Sequence, residues 1–196
     1  MNIEDQIELI IKTYDSLAFS KISQQKKEKF KNLVLAIINK SKCFEAFYFG
    51  SHTGRVSYDN THAGLGKLKY FKLIKIALEN KWEDVLCCML RKNNQLGQLY
   101  FFNDGGYRTT ILHECAMLKM EKFCLYALEI NSKFAEIEDE FGNTFIRCAK
   151  ISGLEKVVKN AAKINPVYGL SAENKYIITN WKRKNKRCKN VSQKSI

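Results

Sequence analysis

Residues 110–116 read TILHECA, and the related stretch TFIRCA follows at residues 144–149, so that the two threonines are 34 residues apart. The hydroxyl of Thr110 can cap a helix, and His113, three residues later, can satisfy neighbouring backbone groups. Small residues near the end of each stretch, such as Cys115 and Ala149, allow two helices to approach closely. The pattern therefore indicates a chain built from similar helical units.

A second helical pattern follows each stretch, with apolar residues at helical spacing. In the first copy these residues are Phe123, Cys124, Ala127 and Leu128, and in the second they are Val157, Val158, Ala161 and Ala162. A third match, 38 residues upstream and without the T-x-L-H core, has Val85, Leu86, Met89 and Leu90. One helix pair cannot bury its apolar face alone, so about three stacked pairs are expected.

This arrangement resembles the ankyrin repeat, whose period is about 33 residues and whose signature is T-P-L-H-x-A. In the second copy Phe145 and Arg147 replace the usual proline and histidine. The signature positions that fit are Thr110, Leu112, His113 and Ala116 in the first copy, and Asp139, Gly142, Asn143, Thr144, Ile146, Ala149 and Gly153 in the second. The resemblance covers residues 70–163 and implies an all-α fold, a short ankyrin-type helical solenoid of about three repeats with helical caps at both ends.

Amphipathic patterns flank the repeats. Residues 3–19 carry isoleucines at helical spacing, and residues 23–40 change from lysine-rich to apolar, which predicts two helices that pack together as a cap. After Pro166, a further helix is predicted to start at Ser171, whose hydroxyl can cap it. The predicted organisation is a helical cap with a Gly/His loop at 1–66, ankyrin-like repeats at 67–166, a capping helix with a basic end at 167–190 and a tail at 191–196.

Length and composition favour one domain, because 196 residues with 45% hydrophobic residues suffice for a core. No run approaches the roughly 20 apolar residues of a membrane span, and the acidic amino terminus lacks the basic start of a signal peptide. Seven cysteines without a C-x-x-C pair favour reduced, buried thiols. We therefore expect a cytoplasmic protein without a membrane span that is monomeric alone.

The net charge of +13 is concentrated in two segments. Residues 21–42 hold seven lysines and Glu28, and residues 171–196 hold eight basic residues and Glu173, which gives +6 and +7. The rest of the chain balances 18 basic against 18 acidic residues. Binding of nucleic acid or another polyanion through residues 21–42 and 182–189 is therefore the second function to consider, although no nucleic-acid-binding motif accompanies the charge.

A turn sequence Asn-Asp-Gly-Gly at residues 103–106 lies between aromatic residues and predicts a β-hairpin. The ankyrin resemblance implies that such a hairpin projects as a finger before the first helix of a repeat. Exposed aromatic clusters are enriched as binding hot spots. The predicted partner-binding residues are Tyr100, Phe101, Phe102, Tyr107 and Arg108, with coverage of the flank of the core as the alternative role of the aromatic residues.

Residues 50–66 contain four glycines with His52 and His62 and predict a loop. This loop is the one place where a catalytic or phosphate-binding sequence could lie, but its spacing matches no phosphate-cradling or zinc-binding motif. No recognisable motif in the chain combines a nucleophile, a base and an orienting acid. We therefore expect no enzymatic activity, no metal and no cofactor.

The sequence thus favours a protein–protein interaction scaffold that binds a host or cellular protein through ankyrin fingers and inner helices. A single proline with many lysine, asparagine and isoleucine residues is typical of an AT-rich genome. Together with the short array, this composition favours a microbial or viral protein that acts in a host cell, including as a secreted effector. The expected locations are the cytoplasm and the nucleus, which for an effector are those of the host cell.

The basic tail, defined as Lys182, Arg183, Lys184, Lys186 and Arg187, is predicted to direct location or weak polyanion contact rather than to hold the fold. Changing all five residues to alanine should leave the melting temperature nearly constant and reduce retention on heparin, since the lost charges supply the polyanion contact. Circular dichroism and heparin chromatography measure the two effects. A large drop in melting temperature would show instead that this segment packs on the fold.

Overall fold

The structure, a computed structural model, describes residues 3–16, 22–41, 65–102 and 106–170. These residues belong to two compact units that divide after Leu96. Each unit contains helix pairs, and helices make up most of the described chain. The predicted all-α class is therefore confirmed at this level.

The first unit contains the helices α1 (Ile3–Ser16), α2 (Gln24–Lys40), α3 (Leu65–Glu79) and α4 (Glu83–Lys92). Helix α1 packs on α2 and α3, and α4 packs on α2 and α3. Ser23 caps α2, because its hydroxyl accepts a hydrogen bond from the backbone N–H of Lys26 at 3.4 Å. The predicted amphipathic helices of the amino-terminal region are thus present and pack on each other.

The second unit contains β1 (Tyr100–Phe102), β2 (Arg108–Thr110), α5 (Ile111–Met117), α6 (Glu121–Ile130), α7 (Phe145–Ile151), α8 (Glu155–Ile164) and α9 (Pro166–Leu170). Helix α5 packs on α6 and α7, and α8 packs on α6, α7 and α9. Two consecutive helix pairs, α5–α6 and α7–α8, are therefore stacked first helix on first helix and second on second.

The same tight turn joins the two helices of all three described pairs, α3–α4, α5–α6 and α7–α8. One residue in each turn has a positive φ: 54° at Lys81, 62° at Lys119 and 79° at Gly153. The next residue donates its backbone N–H to a carbonyl five residues earlier, at 2.8 to 2.9 Å. These donor–acceptor pairs are Trp82 and Ala77, Met120 and Cys115, and Leu154 and Ala149. The offsets of 38 and 34 residues that the sequence predicts are thus repeated in backbone geometry.

A second repeated turn, not predicted from the sequence, follows the second helix of each pair. It starts at an asparagine whose side-chain oxygen accepts from the backbone N–H two residues later, at 3.0 Å in every copy. The residue after that donor is large and buried. The asparagines are Asn93, Asn131 and Asn165, and the buried residues are Leu96, Phe134 and Tyr168. The signal was readable in the sequence as Asn-x-x followed by a large apolar or aromatic residue, at the same 38- and 34-residue offsets.

The core contains most of the apolar stripe predicted for α4, α6 and α8. All four predicted residues are buried in α4 and in α6, but in α8 Val158 and Ala162 are half-buried. Both residues lie in α8, the second helix of the last pair that the structure describes. The small residues Cys115 of α5 and Ala149 of α7 are both buried.

Two local predictions differ from the structure. Helix α3 begins at Leu65, inside the stretch predicted as a loop, and residues 166–170 form α9 although no helix was predicted before Ser171. The short helix α9 forms because Asn165 supplies the same capping turn as Asn93 and Asn131. The predicted capping helix from Ser171 onward, the tail and the loop residues 50–64 lie outside the described residues.

Gly97 tests how tightly the second unit is packed. A β-carbon on Gly97 would lie 2.6 Å from Cζ of the buried Phe134 ring, and Gly97 does not have a positive φ that would itself favour glycine. We expect Gly97→Ala to lower the free energy of unfolding by about 1–3 kcal/mol because of overpacking. Urea denaturation measures this loss.

The matched test repeats Gly97→Ala in a Phe134→Leu background. There the ring is absent, so the added methyl group should cost much less or even stabilise by about 0.4–1 kcal/mol through the unfolded chain. If Gly97→Ala lowered the free energy of unfolding equally in the wild-type and Phe134→Leu proteins, the ring of Phe134 would not be the group that restricts residue 97.

Candidate functional site

The predicted hairpin is present. Strands β1 and β2 pair antiparallel, with Tyr100 opposite Thr110 and Phe102 opposite Arg108, and Gly106 has a φ of 74°. This hairpin leads directly into α5, so that Thr110 ends the strand and precedes the helix. The segment predicted as a projecting finger is therefore a hairpin fixed at its carboxyl end to α5.

A second turn, at residues 138–144, precedes α7 in the same way. Its shape is set by Asp139, whose Oδ1 accepts from the backbone N–H of Phe141 at 2.8 Å and of Asn143 at 2.9 Å. The side-chain amide of Asn143 also donates to this carboxylate, at 3.1 and 3.2 Å. Gly142 has a φ of 70°, a backbone conformation that residues with a side chain rarely adopt.

Hydrogen bonds from both backbone and side-chain groups join the hairpin to this turn. Arg108 donates its N–H to Oε2 of Glu140 at 3.0 Å, and its carbonyl accepts from the N–H of Glu140 at 3.2 Å. The phenol of Tyr100 donates to the carbonyl of Glu138 at 2.8 Å. The hairpin and the turn therefore form one continuous surface, which we call the hairpin–turn surface and define as Tyr100, Tyr107, Arg108, Glu138, Glu140 and Phe141.

His113 links this surface to the helices beneath it. Its Nε2 lies 2.8 Å from the carbonyl oxygen of Asn143, and its Nδ1 lies 2.8 Å from Oγ1 of Thr110. A carbonyl only accepts, so Nε2 carries the proton, and in the neutral ring Nδ1 accepts from the Thr110 hydroxyl. Burial lowers the pKa of His113 below its ordinary value, which favours this neutral form.

Thr110 does not cap α5 in the predicted manner. It occupies the N-cap position, but its hydroxyl bonds to the ring of His113 instead of accepting from a backbone N–H. In the second copy, the hydroxyl of Thr144 does cap its helix, by accepting from the N–H of Arg147 at 3.3 Å. The difference follows from the residue three positions later, because a histidine ring can compete for the hydroxyl.

Tyr100 and Arg108, both predicted to contact a partner, pack on each other. The guanidinium carbon of Arg108 lies 4.1 Å from the centre of the Tyr100 ring, and both side chains are half-buried. Burial raises the pKa of Tyr100 above its ordinary value. These two residues therefore hold the hairpin–turn surface together in the free protein.

Tyr107 and Phe141 form the aromatic part of the surface. Their ring centres are 5.1 Å apart at an interplanar angle of 57°, and both side chains are half-buried. Phe141 was missed from the sequence, although it follows Tyr107 by the 34-residue offset of the repeat. Phe101 and Phe102 contribute their backbone to β1, and their side chains lie outside what the structure describes.

The cysteine prediction is confirmed for the helical positions that are described. Cys88, Cys115, Cys124 and Cys148 are buried thiols that form no disulfide, and Cys87 is half-buried. Burial raises the pKa of Cys148 well above its ordinary value, so its thiol stays protonated. Among the described residues, no group of three or more His, Cys, Asp and Glu side chains is placed to hold a metal ion.

The basic segments are described only in part. Helix α2 contains most of the lysines of residues 21–42, whereas the basic tail and residues 182–189 as a whole lie outside the described ranges. The described helices include none that is long and apolar enough to cross a membrane. Comparison with known proteins found no matching family model, no similar curated protein and no similar solved structure. A function for this chain therefore rests on the residues and contacts themselves.

His113→Gln tests the link between α5 and the turn at residues 138–144. At about pH 7.5 the substitution should lower the free energy of unfolding by on the order of 1–3 kcal/mol, because it disturbs a buried hydrogen-bonded group. The folded pKa lies below the unfolded value of 6.5, so the unfolded chain binds more protons below that pH and wild-type stability falls as pH decreases.

Urea unfolding at about pH 7.5 and about pH 5.5 measures both effects. The stability gap between wild type and variant should narrow at the lower pH, because only the wild type must keep His113 neutral. His52 and His62 are present in both proteins, so their titration cancels. A gap that stays constant would mean that His113 titrates alike in the folded and unfolded chains.

Proposed function

We propose that this protein is an ankyrin-type interaction scaffold that binds another protein through the hairpin–turn surface and the inner helices α5 and α7. The observation that carries the proposal is the repeated unit: three helix pairs share one turn geometry at offsets of 38 and 34 residues. Two of the pairs are preceded by a hairpin or turn next to a T-x-[LI]-[HR] sequence. Repeats of this kind present fingers and inner helices as an extended binding face.

The hairpin–turn surface suits binding because it is ordered before a partner arrives. The backbone N–H of Arg108 donates to the carboxylate of Glu140 and its carbonyl accepts from the backbone N–H of Glu140, and His113 ties the second segment to α5. A surface that is already ordered loses less conformational entropy when it binds. This rigidity supports a specific protein contact.

The chemistry of the surface indicates the kind of partner group that it fits. The aromatic pair Tyr107 and Phe141 is half-buried, and Glu138 and Glu140, three residues and one residue before Phe141, are exposed. An apolar side chain flanked by basic residues would complement this combination. Tyr107 and Phe141 are thus the proposed contacts, together with Phe101 and Phe102 as predicted from the sequence, whereas Tyr100 and Arg108 position the surface.

A non-enzymatic role agrees with the environment of His113. Both of its ring nitrogens are engaged, with Thr110 and with the backbone of Asn143, and the ring is buried. A general base must reach a substrate proton. His113 therefore acts as a structural link, and the proposed role remains binding.

The proposed biological setting is the interior of a host cell, where a microbial or viral effector would meet its target protein. This part of the proposal rests on the lysine-, asparagine- and isoleucine-rich composition and on the short repeat array. The basic tail would add a nuclear localisation signal or a weak contact with a polyanion.

Alanine substitution of the aromatic pair tests the proposal. Tyr107→Ala and Phe141→Ala should each reduce affinity for the partner by about 2 kcal/mol or more, some thirtyfold, if they are hot spots. Lys159→Gln, on the exposed face of α8, is the control and should bind like the wild type. Melting temperatures are measured first, so that loss of folding is separated from loss of contact.

The partner is found by affinity capture from lysate, with nuclease and at two salt concentrations, followed by mass spectrometry. A supporting partner is retained by wild type and by Lys159→Gln after nuclease treatment, and is lost with both aromatic variants. If folded aromatic variants capture the same proteins as the wild type, the hairpin–turn surface is not the binding site.

A further inference from the structure

Helix α2 is fixed in the first unit by an aromatic contact chain on its inward face. The ring of Phe30 lies 6.4 Å from that of Tyr14 in α1 and 6.0 Å from that of Trp82 at the start of α4. Val34 and Ile38, one and two turns further along, are fully buried. The inward side of α2 is therefore set by packing.

Polar contacts with α4 fix the same orientation at two points. Lys31 lies 3.7 Å from Asp84 and 2.6 Å from Glu28, so its charge is neutralised within the unit. Nearer the end of α2, the side-chain oxygen of Asn39 accepts from Nη2 of Arg91 at 3.1 Å and from the thiol of Cys88 at 3.1 Å. The helix cannot rotate about its axis without breaking these contacts.

The opposite face of α2 is exposed and basic. It consists of Lys26, Lys29, Leu33, Ala36 and Lys40, all of which are exposed. At 100° per residue these positions fall within an arc of about 80°, and they extend over about 21 Å along the helix axis. The stripe contains no acidic residue, and the nearby Glu28 is held by Lys31. Three positive charges therefore point outward in one row.

We propose that this face of α2 binds the phosphate backbone of double-stranded nucleic acid, through Lys26, Lys29 and Lys40. Lysine is a flexible point charge that suits phosphate oxygens, and a length of about 21 Å matches about six base pairs. Such contacts carry charge recognition and no sequence information. The inference uses a surface of the first unit and does not depend on the proposed protein-binding role of the second.

Single-stranded nucleic acid and an anionic membrane fit this face of α2 less well than a duplex does. Unpaired bases stack on exposed aromatic side chains, and the five residues of the stripe include none. A helix that lies on an anionic membrane buries a broad apolar face, whereas Leu33, 51% exposed, is the only large apolar residue of the stripe. The phosphates of a duplex require neither feature.

Salt dependence of binding provides the test. The 196-residue chain and the triple variant Lys26→Gln, Lys29→Gln, Lys40→Gln are titrated against a short fluorescein-labelled DNA duplex, and binding is followed by fluorescence anisotropy. With three phosphate contacts, this face should account for a loss in affinity of about fortyfold between about 50 mM and about 200 mM salt. The triple variant should bind more weakly at low salt, and its log–log salt slope should be shallower by about 2.7.

The charge-matched control is Lys133→Gln, Lys159→Gln, Lys163→Gln, which removes three exposed lysines from the second unit. It should bind duplex almost as the wild type does, and melting curves should show all three proteins folded. If both triple variants lost the same affinity for the duplex, binding would depend on net charge alone, and the proposal would be overturned. No binding of duplex, or binding that the α2 substitutions leave unchanged, would also overturn it.

Vesicles containing phosphatidylserine serve as the alternative anionic surface. Binding to these vesicles that requires Lys26, Lys29 and Lys40, without a matching requirement in duplex binding, would assign the face to a membrane and overturn the nucleic-acid proposal. Duplex binding that requires the three lysines, with vesicle binding weaker or insensitive to them, supports it.

Discussion

One backbone hydrogen bond closes the turn within each of the pairs α3–α4, α5–α6 and α7–α8, and the rest of each pair depends on it. The acceptor belongs to a small, buried residue, Ala77, Cys115 or Ala149, and the donor follows a residue with positive φ. A larger side chain at the acceptor position would push the helices apart, and an ordinary φ would send the chain away from the first helix. The turn thus directs the second helix back along the first and brings their apolar faces together. Lys81 and Lys119 adopt the positive φ without being glycine, which shows that tertiary packing offsets the local cost.

The second unit holds the hairpin–turn surface in place with a small polar network. Asp139 shapes the turn at residues 138–144, Glu140 bonds to Arg108 of the hairpin, and His113 connects the turn to α5. The buried members of this network are costly to leave unpaired, so they specify one arrangement of the surface. The residues that form the surface therefore divide into those that position it, Tyr100 and Arg108, and those that offer apolar area, Tyr107 and Phe141.

The two proposed surfaces differ in chemistry as well as in location within the chain. The hairpin–turn surface of the second unit combines aromatic rings with exposed glutamates, whereas the outward face of α2 in the first unit carries lysines without an acid on the same stripe. A phosphate backbone would be repelled by the first surface and attracted by the second. A protein with both surfaces would bind a protein target through the hairpin–turn surface and a polyanion through α2.

The sequence by itself determined the helical class, the offsets of 38 and 34 residues, the hairpin and the buried cysteines, because each depends on local periodicity or turn chemistry that short stretches encode. It also contained the Asn-x-x turns and the pairing of Tyr107 with Phe141, which the offsets could have revealed. Only the tertiary structure decided that the Thr110 hydroxyl bonds to His113 rather than capping α5, that Arg108 lies over Tyr100, and that Lys31 is neutralised while Lys26, Lys29 and Lys40 face outward. These outcomes depend on groups far apart in the chain, such as Asn143 for His113 and Asp84 for Lys31. A side chain with several nearby donors or acceptors takes the one that packing places within reach, and local sequence does not contain that information.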